Sequence, residues 1–174
     1  MSTVCNRAVV IILIVSVISG LCVTTPTWAA TLARQTVSLN GNDWLINSGA
    51  VLPNDSNWIT ATVPGNIQSD LERRHLLDPL SYGAGDPRLI EVCQKEWWYK
   101  KSFMVPSDFS GQRVVLVFDG VDDTCQVWLN GQLLGSHAGM FIRFEFDISK
   151  VILPGRNNML VVKVDSHAFT GVAL

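Results

Sequence analysis

The sequence predicts an all-β fold, a jelly-roll β-sandwich with one short early helix. From Glu96 onward, short apolar stretches recur about every ten residues between turns rich in Pro, Gly and Asn. Several of them alternate apolar and polar residues, as in Phe144, Phe146 and Ile148 against Arg143, Glu145 and Asp147. Only Ile67–Leu77 carries helical spacing, with Ile67, Leu71 and Leu77 near one face. A chain of 174 residues, 48% hydrophobic and 16% charged, is long enough for one such domain.

The early elements are short. Thr36–Leu39 and Trp44–Ile46 read as strands around an Asn40-Gly41-Asn42-Asp43 turn, and 47–56 as loop. Trp58–Val63 is extended until Pro64-Gly65 stops it. Asn66 is placed to cap the helix, whose Asp70, Glu72, Arg73 and Arg74 are expected to face water. Asp78-Pro79 ends it, because proline drives the preceding residue out of helical geometry. Ser81–Arg88 is loop, and Leu89–Gln94 is one more helical turn.

The second half is all strand. EWWYKKSFMV (Glu96–Val105) runs to Pro106 and a turn over Ser107–Gly111. Arg113–Phe118 is a β-branched run suited to a buried strand, followed by an acidic connection at Asp119–Asp123. Thr124–Leu129 and Gln132–Gly135 flank an Asn130-Gly131 hairpin turn. Arg143–Ile148 and Met159–Asp165 close the series. In EWWYKKSF the period of two puts Trp97, Tyr99 and Phe103 on one face and Trp98, Lys100 and Ser102 on the other. Three rings on one face point to core. Trp98 is left to face solvent, a ligand or another domain.

The first thirty residues are different in kind. Arg7 precedes an apolar run from Ala8 to Val23, and TTPTWAA supplies small residues at Thr27 and Ala29. That is the anatomy of a secretory leader cleaved after Ala29, over residues 1–29; the alternative, an uncleaved membrane anchor, is disfavoured by the shortness of the run and the small-residue site after it. Cleavage implies a secreted protein, extracellular, periplasmic or lysosomal by host, with no membrane attachment. It also leaves two of the four cysteines, Cys93 and Cys125. They either pair as a disulfide or stay as two buried thiols, and the sequence leaves both open. Asn54-Asp55-Ser56 is a glycosylation sequon, with Asn54 as acceptor.

Most chemistries lack their residues. Net charge is -2 and no basic run exceeds two residues, so no nucleic-acid footprint exists. Gly135-Ser136-His137-Ala138-Gly139 resembles a nucleophile elbow but has histidine at its centre. His75, His137 and His167 are isolated, so no metal ligand set is expected. Gly83-Ala84-Gly85 does not sit between a strand and a helix, so no nucleotide cofactor is expected. Asp119, Asp122 and Asp123 read as a solvated turn rather than a catalytic carboxylate pair.

The order of motifs carries a resemblance. Trp44 is followed by VPGNIQSDL (Val63–Leu71), DPLSYG (Asp78–Gly83) and EWWYKKSF. Then come FDGVDDTCQVWLNGQLLGSHAGMFIRFEFDI (Phe118–Ile148) and LPGRNNMLVVKV (Leu153–Val164). Together they resemble the N-terminal sugar-binding domain of glycoside hydrolase family 2, nearest to its β-mannosidase and exo-β-glucosaminidase branch. The resemblance implies a galactose-binding-like jelly roll over residues 36–167, with 168–174 opening a truncated linker. It also implies an immunoglobulin-like sandwich and a catalytic barrel elsewhere in the enzyme. The barrel carries two glutamates, one directly after an asparagine, and needs about 250 residues. No Asn-Glu dipeptide occurs here. The expected role is therefore a non-catalytic domain, inactive alone, that packs on its partner catalytic domains and walls a pocket for a terminal carbohydrate. By the same resemblance Tyr82 and Asp86 are candidate sugar contacts, alongside Trp98, although Ser81 and Ala84-Gly85 depart from the usual pattern. A free-standing lectin-like module and a ligand-free adhesion domain are the alternative expectations.

Overall fold

A computed structural model describes residues 8–16, 34–54, 56–77, 87–122 and 124–165. Eleven strands, two short helices and one 3-10 turn make two antiparallel sheets among these residues. The first sheet holds β1 (Ala8–Ser16), β2 (Arg34–Ser38), β5 (Gly65–Asn66), β7 (Arg113–Val121) and β10 (Phe144–Asp147), in the order β10-β7-β1-β2 with β5 beside β1. The second holds β3 (Gly41–Ser48), β4 (Ile59–Val63), β6 (Trp97–Met104), β8 (Thr124–Leu129), β9 (Gln132–Ala138) and β11 (Asn157–Val164), in the order β4-β3-β6-β11-β8-β9. The consecutive pairs β1–β2, β3–β4 and β8–β9 are neighbours, while the remaining connections cross between or over the sheets, as in a sandwich.

The core lies between the sheets. Trp44, Ile46, Tyr99, Phe103, Val127 and Val162 enter from the second sheet, and Val114, Leu116 and Phe118 from the first. Trp97, Tyr99 and Phe103 are all buried, as the period of two requires. At about 25 cal/mol per Å² of apolar area, each such ring contributes a few kcal/mol. The indoles keep their polar ends satisfied. Trp44 Nε1 donates to Leu39 O at 2.8 Å, and Trp97 Nε1 to Val92 O at 2.9 Å.

Helix α1 covers Ile67–Arg73, four residues less than the spacing suggested. Asn66 caps it as expected, its side chain accepting from Ser69 N at 2.8 Å. The early stop is local. His75 takes the left-handed φ of 56°, and Leu76 N returns to Leu71 O at 3.0 Å. Helix α2 covers Pro87–Gln94, opening on a proline suited to a first helical position.

The run Ala8–Ser16, read from the sequence as the apolar part of a leader, is here a strand between β7 and β2. An uninterrupted run rich in Val and Ile satisfies both readings, since a strand in the middle of a sheet buried on both faces is also continuously apolar. The pairing describes the uncut segment and does not bear on cleavage.

Candidate functional site

The outer face of the six-stranded sheet gathers the aromatic and cationic side chains that the sequence left unassigned. Trp98 of β6 lies opposite Asn47 of β3 and Lys163 of β11, and Lys163 lies opposite Gln126 of β8. One step along, Lys100 faces Val161, and Val161 faces Trp128. Trp98 and Trp128 are therefore diagonal neighbours, with ring centroids 5.4 Å apart at 34°. Lys163 Nζ sits 5.8 Å from the Trp98 ring, 2.6 Å from Glu96 Oε1 and 3.3 Å from Asp165 Oδ1. Burial pulls the Lys163 ammonium down, but its bonds to Glu96 and Asp165 outweigh that and hold it above its ordinary value. Lys100 Nζ lies 3.7 Å over the Trp58 ring.

This arrangement corrects the expectation for Trp98. Its side chain is buried, and its Nε1 is engaged by Gly49 O at 2.7 Å. It is not an open platform for a sugar ring. It supports Trp128, which remains half-buried. Tyr82 and Asp86 lie outside the described residues. Asn54 is exposed, in keeping with the place of a sequon.

The two cysteines are not joined. Cys93 in α2 and Cys125 in β8 are separate buried thiols. Gln68 Nε2 donates to Cys93 Sγ at 3.8 Å, and Cys125 lies opposite His137 and Val164. Burial pushes the Cys125 thiol up to about 12, so it is no nucleophile near neutrality.

The second polar feature is a cavity of about 400 Å³ where β4 meets α1, lined by Asn42, Thr60, Ala61, Thr62, Asp70, Arg73 and Arg74. Asp70 is buried rather than water-facing, contrary to the sequence reading. Three residues on from Ile67, it lies close to the apolar face, so helical spacing alone could have placed it there. It accepts from Thr62 N at 3.1 Å and pairs with Arg73. Burial nonetheless raises its carboxyl above the ordinary 3.8, against the Thr62 bond and the Arg73 charge. Arg74 donates to Thr60 Oγ1. One carboxylate among hydroxyls and guanidinium groups can bind polar groups, but it is not the pair that glycoside hydrolysis requires.

Elsewhere the candidates for chemistry serve structure. His137 stacks on Phe144 with centroids 3.9 Å apart. Asp122, expected in a solvated turn, is buried where the chain passes from β7 of the first sheet to β8 of the second. No group of three or more metal-ligating side chains occurs among the described residues.

Comparison with known proteins gives this architecture its family. The family model for the glycosyl hydrolase 2 galactose-binding domain-like unit matches residues 36–173. Rat β-mannosidase is 32% identical over 121 residues, covering 69% of this chain and 13% of that protein. Bovine β-mannosidase is 35% identical over 117 residues, covering 67% and 13%. A β-glucuronidase of Formosa agariphila is 32% identical over 65% of this chain and 11% of its own length. The crystal structure of β-D-mannosidase from Dictyoglomus thermophilum superposes with a TM-score of 0.65 at 29% identity, over 74% of this chain and 15% of that one. The chain thus spans little more than a tenth of the relatives it matches, and it belongs to glycosyl hydrolase family 2 through the galactose-binding-like N-terminal domain of these β-glycosidases.

Proposed function

We propose that this chain is the non-catalytic first domain of a secreted β-mannosidase-type enzyme, carrying a leader removed after Ala29. The observation that carries this reading is the match over residues 36–173 combined with the small share of each relative that it covers. The mannosidase branch is favoured because the D. thermophilum superposition spans 74% of the chain. In the complete enzyme two glutamates of a barrel cleave a terminal β-linked sugar by double displacement. This domain would bring no proton donor or nucleophile. Its contribution is rigidity: a sandwich that docks on the barrel and fixes one wall of the sugar pocket.

The test is the transcript downstream of the Leu174 codon. The expected result is an open frame encoding a second sandwich and then a barrel with an Asn-Glu dipeptide. Transcripts that stop after Leu174, together with binding of a terminal mannoside by the purified chain in calorimetry, would instead establish a free-standing lectin-like module.

A further inference from the structure

The cavity between β4 and α1 has a volume of about 400 Å³. Two regular spacings build it. β4 lies at the edge of the second sheet, and its alternation sends Ala61 and Val63 to the core and Thr60 and Thr62 the other way. On α1 and its C-cap, Arg73 and Arg74 follow Asp70 by three and four residues, so all three share the face that looks at β4. Asn42 of β3 completes the polar lining.

The fold leaves part of this lining unused. Asp70 is 1% exposed, yet its two bonds, from Thr62 N and from Arg73, both fall on Oδ1. Its Oδ2 is buried with no hydrogen-bond partner among the described residues. A buried carboxylate oxygen without a donor is costly, and it calls for one. The charges do not balance either. Two guanidinium groups face one carboxylate, which leaves one positive charge. Arg73 is paired with Asp70, whereas Arg74 donates to Thr60 Oγ1 and pairs with no carboxylate among the described residues.

We propose that this cavity is a binding site for a sugar acid. The ligand is a monocarboxylate of monosaccharide size, whose carboxylate meets Arg74 and one of whose hydroxyls donates to Asp70 Oδ2. The guanidinium fork matches a carboxylate in two parallel bonds. Arg73 is more than half exposed, so it can move aside and open Oδ2 without disturbing the core.

The other occupants fit less well. Sulfate would meet Arg74 but bring no donor for Asp70. A neutral sugar brings donors but leaves the charge of Arg74 unmatched. An acidic side chain of another domain brings no hydroxyl and is too small for a volume within the range of small-molecule sites. The site goes beyond the function proposed above and does not depend on it. With a single carboxylate it binds and does not cleave.

The test is a titration of the full chain, labelled with ¹⁵N, against sodium D-gluconate and sodium D-glucuronate, with D-glucose and sodium sulfate as controls. The expected result is saturable binding of at least one of the acids that moves the Thr62 amide and Arg74 side-chain signals, with glucose and sulfate at least tenfold weaker. Arg74→Gln, an exposed change, should weaken the acid about tenfold. Asp70→Asn, which removes the charged acceptor, should have an effect of similar size. If Asp70→Asn fails to fold, Arg74→Gln decides alone. No binding of either acid overturns the site. So does glucose or sulfate binding as tightly as the acid, an unchanged affinity in Arg74→Gln, or shifts confined to residues away from β4 and α1.

Discussion

Asn158 shows how one residue can join two remote turns. It is fully buried and makes four hydrogen bonds: from Asn130 Nδ2 at 2.9 Å and Leu153 N at 2.8 Å, and to Leu153 O and Arg156 O at 3.0 Å each. Asn130, left-handed at φ 52°, returns a bond from Met159 N to its Oδ1 at 2.9 Å. Asn158→Ala would strand these partners, and chemical denaturation should show a loss of about 3 kcal/mol. The Asn130-Gly131 turn was legible in the sequence because its chemistry is local. Its link to Asn158 was not, because nothing local encodes a contact 28 residues away. Lys101 was missed for a related reason. Parity puts it on the core face with Tyr99 and Phe103, where it is buried and pairs with Asp43 across the strands. Its hydrogen bond to Lys101 holds the Asp43 carboxyl below its ordinary 3.8. A lowered folded value means stabilisation present above 3.8 and lost as pH falls through the folded value. Asp43→Ala should cost about 1 kcal/mol at neutral pH, a figure kept small by the exposure of Asp43, and the cost should vanish in acid. Asp70 has the opposite sign. Its raised value gives stabilisation present below 3.8 and lost as pH rises through the folded value. Stability measured against pH should therefore move in favour of Asp70→Asn, relative to wild type, on going from acid to neutrality.

At the scale of elements, strands that bury one face were readable because alternation is imposed by the backbone itself. β8 is the clearest case, with Cys125, Val127 and Leu129 buried between less buried neighbours, whereas β6 alternates only from Tyr99 onward because Trp98 is buried as well. Element ends were less readable. α1 stops at Arg73 because His75 turns left-handed, and histidine is not a residue that advertises such a stop. His75→Gly should raise stability by about 0.5–1 kcal/mol, seen as a higher denaturation midpoint, because glycine adopts that φ without a Cβ penalty. The candidate site was only partly legible. Sequence parity put Trp98 and Lys100 on the outer face, but it could not show that the Gly49 carbonyl and Trp128 close over the indole. β1 was read as a leader because an apolar run of its length carries no period to separate the two roles.

For the whole molecule, the placement of exposed apolar surface matters most. A patch around Trp98 is not available, since that ring is buried. The exposed large apolar side chains include Leu133, Phe141 and Ile142, of β9 and the loop before β10, with Phe141 90% exposed. Replacing Phe141 and Ile142 by serine should leave thermal stability nearly unchanged while reducing self-association in light scattering. On the function proposed above, this sandwich supplies one wall of a sugar pocket and no bond-cleaving group. Its most direct test is the release of aglycone from an aryl β-mannoside. The purified chain should release none above the buffer rate, whereas the complete enzyme should turn the substrate over. Release by the isolated chain, abolished by substitution of its own carboxylates, would contradict the account.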